Sequence, residues 1–169
     1  SWMSLSFMTT KENLYSDYYL DENGKADYTR DSPGYIPRPG DQKVNVSIFF
    51  QDYLPKNPTY KMSLTFMFGS SLPFGPPNSP KYRHIFRMPP YWRVDIGFSK
   101  EIIGDFTTFS EKNPFRVLES LWLSAEVLNL LQTHNTVSYT WVEDIHGTQY
   151  AVPNYLTPRQ LNVKLIATF

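Results

Sequence analysis

Arg93 and Asp95 stand two residues apart in "WRVDIGFS". In an extended strand that spacing puts both side chains on one face, where a guanidinium and a carboxylate can hydrogen-bond. It is positioning chemistry, not catalysis. The three histidines, His84, His134 and His146, lie far apart in connecting segments and lack ligand-like spacing, so no metal site is expected. "DENGK" at 21 to 25 lacks the alternating carboxylates and distal glutamate of a calcium loop and reads as a turn. "NVS" at 45 to 47 matches a glycosylation sequon inside a strand pattern and reads as coincidence. No nucleophile, base or cofactor motif appears, and neither an enzyme nor a cofactor is expected.

The elements that position these residues alternate with period two, which sends successive side chains to opposite faces of a sheet. Met3, Leu5 and Phe7 oppose Ser4, Ser6 and Thr10; Val44, Val46, Ile48 and Phe50 oppose Lys43, Asn45, Ser47 and Gln51. Tyr60, Met62, Leu64, Phe66 and Phe68 oppose Lys61, Ser63 and Thr65, while Trp92, Val94, Ile96 and Phe98 oppose Arg93, Asp95, Gly97 and Ser99. In "RQLNVKLIATF", Leu161, Val163, Leu165 and Ala167 alternate with Asn162, Lys164 and Thr168, and Phe169 continues the apolar register. Each strand has one fatty face and one mostly wet one.

Connections alternate in length: long at 13 to 41, tight at 53 to 58, long at 69 to 90, moderate at 100 to 116 and long at 129 to 158. Loops beyond about 12 to 15 residues tend to be functional. Within the last one, "TVSYTWVEDIHGTQYAV" reads as a hairpin turning near His146 and Gly147. "NPFRVLESLWLSAEVLNLL" fits two templates. Asn113 as N-cap, Pro114 in the first turn and a stripe of Leu118, Leu121, Trp122, Ala125 and Leu128 suit a helix, yet Leu121, Leu123, Ala125 and Val127 also alternate with Ser124 and Glu126.

Composition narrows the class. The 16 basic and 16 acidic residues of the 169-residue chain cancel, which gives no electrostatic support for a nucleic-acid partner. Zero cysteines exclude a disulfide scaffold and a thiolate metal site. Aromatics reach 17% and favour sheets or interfaces, while the 14 prolines gather in the connections. A soluble β-sandwich binding carbohydrate or protein is one architecture that alternates in this way. The aromatic load, and strands of about 9 to 11 residues matched to a tilted bilayer span, favour a transmembrane barrel. The pattern is already under way at Trp2, which leads us to expect a piece of something longer.

"FFQDYLPKNPTYKMSLTFMFGSSLPFGPP", "YRHIFRMPPYWRVDIGFSKEI", "LWLSAEVLNLL" and "VPNYLTPRQLNVKLIATF" together resemble the C-terminal barrel segment of Bacteroidetes-type TonB-dependent outer-membrane receptors. The resemblance spans essentially the whole chain, 1 to 169. It implies an all-β antiparallel arc of about six strands in a barrel of roughly 22 strands around a plugged lumen, with long extracellular loops. It also implies that Ser120 to Asn129 is a strand, with at most a short helix near 112 to 118.

From the same resemblance, Asn45, Ser47, Gln51, Lys61, Arg93, Asp95, Glu126, Asn162 and Lys164 face the lumen and its plug, with Arg93 and Asp95 bonding plug backbone or each other. Tyr15, Tyr18, Tyr19, Tyr28, Tyr35, Tyr139 and Trp141 become candidates for a substrate mouth, with packing between loops as their plainer role. Leu161, Val163, Leu165 and Phe169 resemble the assembly signal of barrel proteins. The implied partners are the rest of the receptor, a TonB-type energising complex acting through the plug, outer-membrane lipid and the barrel assembly machinery. The implied activity is uptake of a scarce nutrient such as a siderophore, glycan or peptide.

Overall fold

In the computed structural model of the chain, residues 1–13, 19–20, 26–27, 34–77, 84–104, 107–108, 113–156 and 158–169 are described. The strands in chain order are β1 Trp2–Phe7, β2 Lys11–Asn13, β3 Tyr19–Leu20, β4 Ala26–Asp27, β5 Tyr35–Pro37, β6 Val44–Leu54 and β7 Asn57–Gly69. They continue with β8 Pro73–Phe74, β9 Phe86–Arg87, β10 Tyr91–Ile103, β11 Ser120–Leu128, β12 Thr136–Glu143, β13 Gln149–Tyr155 and β14 Gln160–Thr168. The protein is all-β. Among the described residues no helix is long and apolar enough to cross a membrane.

Six strands form one sheet in the order β1-β6-β7-β10-β11-β14, every neighbour antiparallel. Each of the four inner strands therefore pairs with the preceding and following long strand of the chain, and β1 and β14 pair with one each. Successive connections fall on opposite edges, as the sequence spacing predicts, so the three long ones share an edge. Each of these carries its own ribbon: β2 with β5 and β3 with β4 in the first, β8 with β9 in the second, β12 with β13 in the third. The β12–β13 turn is the predicted one. Gly147 takes φ 79, and Asp144 accepts the His146 and Thr148 amides at 2.8 and 2.9 Å.

On the opposite edge Pro55 and Lys56 join β6 to β7 in two residues, with Pro supplying the fixed φ of a tight turn. The other connection there starts at residue 104 instead of 100, because β10 runs on to Ile103 through a register shift after Glu101.

The ambiguous stretch is a strand. Ser120 to Leu128 pairs with β10 on one side and β14 on the other; a helix there would have left both of those edges unpaired. Among the described residues only Pro114–Val117 turns helically, as a 3-10 segment whose first amide, on Phe115, donates to the Asn113 side chain at 3.0 Å.

Register places the apolar residues in continuous rows on one face: Leu5–Val46–Phe68–Trp92, Met3–Ile48–Phe66–Val94, Phe50–Leu64–Ile96–Val127–Leu161 and Met62–Phe98–Ala125–Val163. This face is exposed: Met3 retains 66%, Phe98 52% and Leu161 71% of its accessible surface. The only hydrophobic residues buried among those described are Ile36 and Ile103, whereas Asp41, Ser124, Asn129 and Asn135 are buried although polar. A sandwich would bury its apolar rows against a second sheet. Here the apolar side is bare and the polar side is knitted together.

The band of apolar rows crosses the strands obliquely. Its upper limit is the Phe7–Val44 pair on β1 and β6, Phe68–Trp92 two residues further along, and Val127–Leu161 four residues beyond that. Counted on β6 and β10 up to the register shifts after Tyr53 and Glu101, the lower limit descends in parallel, from Phe50 on β6 through Phe98 on β10 to Leu121–Ala167 on β11 and β14. Six residues at about 3.3 Å each, against five strand-to-strand steps of about 4.8 Å, give a slope of roughly 40°.

Candidate functional site

The other face carries every residue the sequence assigns to a lumen. Pairing puts Asn45, Ser47, Gln51, Lys61, Arg93, Asp95, Glu126, Asn162 and Lys164 on it together. Arg93 grips Asp95 in a two-pronged bond, Nε to Oδ1 at 2.7 Å and Nη2 to Oδ2 at 2.6 Å. Asp95 Oδ1 also accepts the Asn129 amide at 2.8 Å, which ties β10 to the end of β11 where Asn129 turns with φ 52.

Glu126 accepts from Lys164 at 2.7 Å and from Asn162 at 3.1 Å, and Ser99 donates to Ser124 at 2.9 Å. Gly97 makes room for this cluster, since a Cβ there would lie 2.5 Å from Ser63 Oγ and 3.2 Å from Glu126 Cγ. The result is a shallow depression edged by Ser63, Thr65, Asp95 and Glu126. Lys61 sits between the Tyr53 and Trp122 rings, 5.2 and 5.4 Å from their centres. The lysine pair with Glu126 is partly exposed on both sides and contributes only about 0–1 kcal/mol. Along its described residues the face offers hydrogen-bonding and charged groups.

At the long-loop edge the structure brings in Asp41, Arg87, Phe74 and Asn135, which the sequence did not single out. Asp41, 1% exposed, accepts the Thr10 amide at 2.8 Å and pairs with Arg87 at 2.6 Å, and Arg87 Nη1 also reaches the Asp41 carbonyl at 2.8 Å. This joins the first long loop to the second. Phe74 of the second stacks on Tyr139 of the third at 4.2 Å, with Trp141 at 6.3 Å. Asn135 holds Trp92 by both backbone groups, at 3.0 and 2.9 Å, as a neighbouring strand would. Asp41 and Phe74 lie in Pro- and Gly-rich stretches without periodicity, so no local signal marks them.

Of the mouth candidates, Tyr139 and Trp141 therefore pack between loops, and Tyr35 is exposed. Tyr15, Tyr18, Tyr28 and the "DENGK" turn lie outside the described residues, and Tyr19 is placed by its backbone on β3. The His134 ring meets the Tyr155 ring edge-on at 5.7 Å. Among the described residues no cluster of His, Cys, Asp or Glu could hold a metal ion.

The Arg87 guanidinium holds the Asp41 carboxyl below the usual carboxylate range, helped by the Thr10 amide and opposed by burial. A depressed folded pKa stabilises above the unfolded value of about 3.9 and is lost as pH falls through the lower folded value. The tie between the first two loops is thus expected to hold from pH 7 down to about 4 and to open only below that. Asp41→Asn should weaken it between about pH 4 and pH 7, by about 3 kcal/mol, the low end for breaking a buried pair because Arg87 is one-third exposed, and should match wild type once Asp41 is protonated. Hydrogen exchange of the Thr10 amide in the full-length protein reads both effects; a wild-type opening near pH 6 would contradict them.

What the fold and the faces define is an antiparallel β-meander with one bare apolar side and one hydrogen-bonded polar side. Comparison with family models, curated proteins and solved structures finds no match to this chain.

Proposed function

We propose that the chain is the C-terminal wall of a TonB-dependent outer-membrane transporter, taking up a scarce nutrient. The observation that carries this reading is the oblique, exposed apolar band. Its slope of roughly 40° falls within the 35–45° strand tilt of transmembrane barrels. A band level with a bilayer must cross tilted strands at that angle, because each strand enters the hydrocarbon at a different residue. The two-residue Pro55–Lys56 turn and the moderate connection from 104 to 119 on one edge, against three longer loops on the other, fit the same architecture.

In this reading the polar face meets the plug, through Asn45, Ser47, Gln51, Lys61, Arg93, Asp95, Glu126, Asn162 and Lys164. The long loops contribute part of a substrate mouth, with Tyr35 available and Tyr139 and Trp141 stiffening the rim. Leu161, Val163, Leu165 and Phe169 present the assembly signal. Energy for uptake comes through the plug from a TonB-type complex. A six-strand arc has two edges that lipid cannot satisfy, so the rest of the receptor is its obligate partner.

The test uses the full-length protein. It should fractionate with the outer membrane, and removal of Phe169 should lower its level there several-fold with synthesis unchanged. Recovery of the intact protein in the soluble fraction would refute the reading.

A further inference from the structure

We propose that Lys100 and Tyr60 form a docking point for the phosphodiester of a glycerophospholipid at the lower rim of the apolar band; the proposal rests on the outer-membrane reading. Lys100 is the one lysine or arginine among the apolar-face positions of the six strands. It lies one row beyond Phe98, the last apolar residue of that face on β10 before the register shift after Glu101, and opposite Tyr60 on β7 and Leu123 on β11. Its ammonium stands 5.3 Å above the Tyr60 ring centre. Lys100 is exposed and has no carboxylate partner among the described residues.

The acid on the same face, Asp52 at the lower end of β6, accepts the amide of Tyr53 at 2.8 Å and so is engaged by its own backbone. A lone cation over an aromatic ring, at the boundary where apolar rows end, matches the depth at which lysines extend to headgroups and tyrosines gather. Phe98 and Leu123 flank it on the acyl-chain side. The edge is the short-turn one, so the lipid belongs to the leaflet on the Pro55–Lys56 side. A phosphodiester there replaces the missing carboxylate, and the ring beneath keeps the ammonium from folding back into water.

The experiment takes full-length wild type, Lys100→Gln and Lys100→Arg, extracted in mild detergent, and measures retained palmitoyl-oleoyl phosphatidylglycerol by native mass spectrometry. Diacylglycerol of the same chains serves as control. Lys100→Gln should bind the phospholipid roughly fivefold more weakly, the fall expected on losing one lysine near anionic headgroups. Lys100→Arg should retain it, and diacylglycerol should not distinguish the three. Folding of each variant is followed separately by heat-dependent migration on gels. Equal phosphatidylglycerol retention by folded wild type and Lys100→Gln overturns this proposal alone. A wild-type protein that fractionates as soluble overturns it together with the outer-membrane reading.

Discussion

Arginine at Ile96 or Val163 in the full-length protein is expected to destabilise the membrane-inserted form by about 2–4 kcal/mol, the depth-dependent cost of a cation near the bilayer midplane. That is roughly a thirty- to several-hundred-fold shift in the folding equilibrium. Val163 makes the result diagnostic. It is 60% exposed, and in a water-soluble protein so open a position accepts arginine within about 0.5 kcal/mol. Gln51→Arg, on the polar face, should stay within that margin. Arginine in place of Lys100, at the rim, should be close to neutral. Denaturant titration of the protein folded into phospholipid vesicles measures all four. If Val163→Arg costs nothing there, the apolar face does not meet lipid.

Labelling topology should be close to all-or-none. The chain contains no cysteine, so single cysteines can be read against a clean background within it. Tyr35, Pro77 and His146 are exposed and lie in the three long connections, while Lys56 is exposed in the tight turn on the opposite edge. Each of Tyr35→Cys, Pro77→Cys and His146→Cys should react with an impermeant thiol reagent on intact cells. Lys56→Cys should react only after the outer membrane is opened. The reason is the alternation of edges in an antiparallel meander combined with the expectation that short turns face the periplasm. Labelling of Lys56→Cys with silence at the other three would invert the orientation, and the loops joined by Asp41–Arg87 and Phe74–Tyr139 could then have no part in capturing substrate.

The strands themselves were legible in the sequence because a sheet writes its faces into the chain with period two. The polar residues Asn45, Ser47, Gln51, Lys61, Arg93, Asp95, Glu126, Asn162 and Lys164 could be assigned to one face from parity within each strand. The ribbon turn at Gly147 was legible too, since only a few residues tolerate positive φ next to an Asp that caps the following amides.

The segment from Ser120 to Leu128 was not legible from pattern alone. Its leucines satisfy periods of both 2 and 3.6, and what decides between them is whether β10 and β14 offer edges to pair with, which is information held elsewhere in the chain. The oblique course of the apolar band is likewise invisible strand by strand, because it exists only in the register between strands. The loop ties belong to the same class. Asp41 meets Arg87 across 46 residues and Phe74 meets Tyr139 across two loops, so no local periodicity encodes them. The sequence by itself determined the faces, since side-chain parity is a local property of an extended backbone. Pairing, slope and loop contacts were decided only when distant strands aligned, because each depends on which backbone groups and side chains the fold brings within hydrogen-bonding or stacking reach.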